Sequence, residues 1–81
     1  MSNFYFKDFD SALAKFREEG GAILFLPATS LSSNRWFVSY GDDVYEMLNE
    51  GLTIREVTEQ ALANGGLSQE QINQEMEYFC D

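Results

Sequence analysis

Apolar positions in this chain fall into short runs broken by glycine and polar residues, and the spacing within each run names the element. Phe9, Leu13 and Phe16 stand at i, i+4 and i+7, one face of a helix. Asp8 or Asp10 supplies its N-cap, and Gly20-Gly21 stops it just after Glu19. Ala22-Ile23-Leu24-Phe25-Leu26 is apolar on both faces and predicts an interior strand that Pro27 closes. Arg35 to Tyr40 reads as a second strand, and the two predict an antiparallel β-hairpin over residues 22–40 around a Ser/Thr-rich loop. Phe4-Tyr5-Phe6 is a candidate third strand.

The second half of the chain reads as helices. Asp42 caps a short one to about Asn49, with Val44, Met47 and Leu48 inward. Thr53-x-x-Glu56 is a capping box, with Leu52 and Val57 as its hydrophobic staple. Ile54, Val57, Ala61 and Leu62 form the apolar stripe behind it, and Asn64-Gly65-Gly66 ends the helix. The signature then repeats: Ser68-x-x-Gln71 is the box, Leu67 and Ile72 the staple, and Ile72, Met76 and Phe79 the stripe of a last helix. The order (β)αββααα predicts an α+β fold in which a small antiparallel sheet packs against about four short helices. The chain shows no linker, low-complexity tract or internal repeat beyond the shared capping signature.

Length and composition set limits on this picture. Eighty-one residues form one compact domain, 1–81, and the 44% apolar and 15% aromatic content separates the chain from acidic disordered tails. There is no histidine, so Ser–His and Cys–His nucleophiles and imidazole metal ligands are excluded. The single cysteine, Cys80, forms no intramolecular disulfide, and Met1–Lys7 lacks the basic and apolar regions of a secretory signal. The expectation is a soluble, cytoplasmic protein without a cofactor and without enzymatic activity.

Charge is the feature that points outward. The net charge is −9, and residues 1–40 contribute none of it: four cations balance four acids. Residues 41–81 hold Arg55 against ten acids. Asp42/Glu46 and Glu46/Glu50 are like-charge pairs four apart, each costing about 0.2–0.5 kcal/mol. Glu75 and Glu77 stand near a helix C-terminus, where the dipole disfavours anions. Such local penalties concentrate on functional surfaces. Asp42, Asp43, Glu46, Glu50, Glu59, Glu75 and Glu77 are therefore the candidate partner-binding residues on an acidic face.

Other chemistries fit these acids less well. Asp42, Asp43 and Glu46 lack the EF-hand spacing and its glycine, so they read as a helix start and no metal site is expected. Residues 52–79 could take a helix-turn-helix shape, but one arginine against five acids repels phosphates. Direct binding to nucleic acid or to an anionic membrane is not expected. The rival interface is the sheet. Strand alternation puts Trp36, Val38 and Tyr40 on one face and Arg35, Phe37 and Ser39 on the other, which makes Phe37 and Tyr40 the alternative partner-binding residues.

In size, in a pI near 4.1 and in its segregated charge, the chain resembles the small acidic inhibitors of phages and mobile elements, the anti-CRISPR and anti-restriction proteins, many of them DNA mimics. The resemblance implies a partner that is a basic protein or a nucleic-acid-binding complex, whose DNA channel the acidic face would occupy. The alternative class is a non-catalytic regulatory or adaptor module, such as an antitoxin or assembly partner, that binds through the aromatic sheet.

Overall fold

The structure is a computed structural model, and it describes residues 4–40, 44 and 51–79. It is an α+β fold with a three-stranded antiparallel sheet. The elements are β1 (Phe4–Phe6), α1 (Phe9–Glu19), β2 (Ala22–Leu26), β3 (Arg35–Ser39), α2 (Ile54–Asn64) and α3 (Gln69–Glu75), followed by a single 3₁₀ turn over Met76–Tyr78. The helix expected over 42–49 lies outside the described residues, apart from Val44, which is buried and donates its N–H to the Tyr40 carbonyl at 3.2 Å.

The strand order is β1-β3-β2, so β3 is central and pairs antiparallel with both neighbours. Leu24 and Tyr5 both stand opposite Phe37, and Phe25 and Phe6 both stand opposite Trp36. This register sorts the side chains into two apolar faces. Ile23, Trp36 and Val38 pack with Phe6 and Phe25 against Ala12, Leu13 and Phe16 of α1, Ala61 and Leu62 of α2, and Ile72 and Met76. On the opposite face, Ala22 and Phe37 pack with Val44 and Val57, flanked by Leu24, Leu26, Leu52 and Ile54. Helix α2 contributes to both clusters. Each large side chain removed from water here contributes about 1.5–3 kcal/mol.

Both outer strands are edges, but they are treated differently. The backbone N–H of Ile23 on β2 donates to Thr58 Oγ1 of α2 at 3.3 Å, and Thr58 is fully buried. Phe79 adds an isolated parallel bridge to Gly21, beside the start of β2. Gly21 sits at φ +93, and a Cβ there would collide with the Ser39 carbonyl oxygen. Only glycine admits the close backbone approach that starts the hairpin.

Each helix starts where its cap residue stands. Asp8 Oδ2 accepts from Ser11 N, and both capping boxes, Thr53/Glu56 and Ser68/Gln71, are fully formed. The C-terminal segment differs from its expected form. The stripe Ile72, Met76, Phe79 does not continue as one α-helix: α3 ends at Glu75, the chain tightens into the 3₁₀ turn, and Phe79 is extended at φ −64, ψ 134. The cause is the backbone partner that Gly21 offers at the sheet. Phe79 leaves the helix to bridge it, while its ring lies under the Arg55 guanidinium at 5.8 Å.

Candidate functional site

The acids of the C-terminal half follow from the helices that carry them. In α2 the apolar stripe turns Val57, Ala61 and Leu62 inward, which leaves Glu56 exposed and Glu59 half-buried at the margin. Glu56 belongs to the capping box: its carboxylate accepts the Thr53 N–H at 3.0 Å while its own N–H donates to Thr53 Oγ1 at 3.1 Å. The Thr53 backbone N–H, joined by its hydroxyl, holds the Glu56 carboxyl below the usual glutamate range. In α3 and the turn after it, Glu70 and Glu77 are exposed.

Glu75 is placed otherwise than the acidic-face expectation requires. It is 9% exposed and accepts from Arg17 of α1 through both guanidinium arms, Nε to Oε1 at 2.8 Å and Nη2 to Oε2. That bidentate bond holds the Arg17 guanidinium more firmly protonated than usual, against a smaller opposing effect of burial. Glu75 is thus a link between α1 and α3, not an outward carboxylate. The sequence carried the signal for this. Position 75 lies between Ile72 and Met76 at i+3 and i−1, inside the apolar stripe. The partner, 58 positions away, carried none.

The cations are distributed unequally. Lys15 pairs with Glu18 and Glu19 on its own helix, and Arg17 takes Glu75. Arg55, the one cation of residues 41–81, lies over the Phe79 ring. Among the described residues, Glu59, Glu70 and Glu77 have no ion-pair partner. Asp42, Asp43, Glu46 and Glu50 lie outside the described residues. The described residues of the expected acidic face that keep an outward or marginal place are therefore Glu59 and Glu77; Glu56 and Glu70, in the first turns of α2 and α3, are exposed as well.

The sheet residues separate as well. Phe37 is 2% exposed and stacks on Tyr5 at 4.8 Å between centroids, so it is core and not an available contact. Tyr40 is 49% exposed. The expected split of Trp36 and Val38 from Phe37 across the two faces holds, but residues 44 and 57 cover Phe37. Sequence reasoning missed Tyr5, 54% exposed with Arg35 over its ring at 5.9 Å, and Leu31 at the loop tip. Exposure within a short aromatic strand has no sequence signature, because burial there depends on which segment crosses it.

Among the described residues no three of Cys, Asp and Glu gather as metal ligands would, and no helix is long and apolar enough to cross a membrane. No family model, curated protein or solved structure matches this chain.

Proposed function

We propose that this protein is a non-catalytic, cytoplasmic inhibitor that presents helical carboxylates to a basic nucleic-acid-binding surface, in the manner of anti-CRISPR and anti-restriction DNA mimics. One observation carries the reading: all of the −9 net charge lies in residues 41–81, and their only cation, Arg55, lies over the Phe79 ring. Carboxylates at i and i+3 on a helix stand about 5–6 Å apart at Cβ, on the order of the phosphate spacing along a strand. Lys- and Arg-lined channels attract such a surface from a distance and exclude DNA when it docks.

The burial of Phe37 weighs against the rival reading, an adaptor that binds through the aromatic sheet, since half of its proposed contact set is core. The experiment is DNA binding by a panel of Cas effector complexes and restriction nucleases, measured with and without the protein over a salt series. The expected result is loss of DNA binding for at least one member, relieved steeply by salt. The combined variant Glu59→Lys, Glu70→Lys, Glu77→Lys should restore DNA binding while keeping the fold. Inhibition that the variant and salt leave untouched would refute the mimic.

A further inference from the structure

Cation by cation, the chain leaves one guanidinium unanswered. Lys15 lies against Glu18 and Glu19, Arg17 takes Glu75, and Arg55 is exposed over the Phe79 ring. The guanidinium of Arg35, the first residue of β3, makes no hydrogen bond and no ion pair among the described residues, in a chain with 14 acids. Its Nε is buried without a partner, whereas its Nη groups are not enclosed. A buried N–H without a hydrogen bond is uncommon and calls for an explanation. Here one edge of a charged group has lost its water and gained nothing in return, while the other edge is left to an outside acceptor.

We infer that Arg35 and Lys7 form a binding site for a phosphate group. The guanidinium is held in place before any ligand arrives. It lies over the Tyr5 ring at 5.9 Å, and that ring rests against the core residue Phe37 at 4.8 Å between centroids. A fixed planar guanidinium presents its Nη–H pair at little entropic cost, which suits the oxygens of a phosphate. The register supplies the second cation. Phe6 stands opposite Trp36, so the next step along the ladder brings Lys7 and Arg35 to the same end of the sheet. Lys7 is exposed and has no ion-pair partner among the described residues. The acid that follows it is committed elsewhere: Asp8 Oδ2 accepts from Ser11 through both the backbone N–H and the hydroxyl.

Two cations select the kind of anion. A carboxylate carries one charge and leaves a cation unmatched, whereas a phosphate monoester carries about −1.5 to −2 at neutral pH. The −9 net charge opposes anions at long range, but residues 1–40 contribute none of it, and salt screens exposed charges beyond about 8 Å. Tyr5 is 54% exposed beside the guanidinium, so an aromatic group attached to the phosphate has a ring to lie on.

The test is NMR of the whole isotope-labelled chain titrated with inorganic phosphate, with ionic strength held constant by chloride. The expected result is a saturable shift of the Arg35 Nε–H signal and of the Tyr5 and Lys7 amides, with the Nε–H signals of Arg17 and Arg55 unmoved. Arg35→Lys keeps the charge but loses the planar pair of donors, and should weaken phosphate binding about tenfold. Lys7→Gln, at an exposed position, should weaken it several-fold with circular dichroism unchanged. Adenosine monophosphate and O-phosphoserine separate the sources: tighter binding of the nucleotide, with further shifts at Tyr5, assigns the site to nucleotides, and equal binding assigns it to the phosphate alone. The proposal is overturned if phosphate produces no saturable shift, if Arg17 and Arg55 move as Arg35 does, if acetate binds as tightly as phosphate, or if both variants bind as the wild type does. The acidic-face reading stands or falls separately, because none of these substitutions touches an acid of α2 or α3.

Discussion

Residues 4–40 and residues 51–79 both contribute to the two apolar clusters, yet they handle charge differently. The first region pairs Lys15 with Glu18 and Glu19 on one helix and sends Arg17 across to Glu75, and the two strands that form the hairpin carry only Arg35. The second region has acids at cap positions, where they stabilise, and acids elsewhere that nothing in that region neutralises. Glu75 is the point where the two regions exchange charge, since its cation comes from α1. A fold that needed the acids for stability would pair them as it pairs Glu75. The difference separates carboxylates that serve the structure, Glu56, Glu75 and, in the first turn of α3, Glu70, from Glu59 and Glu77, which have no ion-pair partner among the described residues.

The largest effect is expected at Phe37. As a core residue it should cost about 3–5 kcal/mol on Phe37→Ala, read as a lowered urea midpoint. A variant that keeps its midpoint would return Phe37 to the interface and weaken the contrast. The next effect is at the link. Glu75→Ala removes a bidentate, largely buried carboxylate, but its arginine is half exposed, so water screens part of the loss. The expected cost is about 1–2 kcal/mol, and Arg17→Ala should not add to it in a double-mutant cycle.

Thr53→Ala should cost about 1 kcal/mol by removing the N-cap. It also removes the hydroxyl's share in lowering the Glu56 carboxyl, and so weakens the pH dependence that the capping box creates. The Glu56 carboxyl is held below its ordinary value in the folded chain, so its contribution is complete above about pH 4.5 and is lost as pH falls through the lower folded value. Glu56→Gln should flatten that acid limb in a series of melting curves. The smallest stability effect is expected at the acids without structural partners. Glu59→Lys with Glu77→Lys should move stability by no more than about 0.5 kcal/mol in either direction. A loss of several kcal/mol would show that these carboxylates also serve the fold.

Most of the architecture was legible because local signals agreed. Asp8, Thr53 and Ser68 each cap the helix that their spacing announces, and strand alternation assigned Trp36 and Phe37 to opposite faces. What was not legible depends on contacts between distant positions. Phe79 belongs to a helical stripe by spacing and leaves it for Gly21, 58 residues earlier, because a backbone partner outweighs one more turn of a short helix. Glu75 counted as a surface acid by charge, whereas its place in the apolar stripe marked it as inward. The acidic face was legible as a charge asymmetry, not as a geometry: which acids have partners depends on where Arg17 and Arg55 reach.

Trp36 gives the junction of the two regions an optical readout. It is the only tryptophan, its indole lies between Phe9 and Phe25 with centroids at 5.3 and 5.2 Å, and its Nε1–H donates to the Ala61 carbonyl of α2 at 3.2 Å. One fluorophore thus reports whether the hairpin and the acidic helix are docked. Its emission should be blue-shifted in the native chain and move to the red when α2 separates from the sheet. That movement should coincide with the loss of helical circular dichroism if the regions unfold as one unit, and precede it if α2 and α3 can leave while still helical.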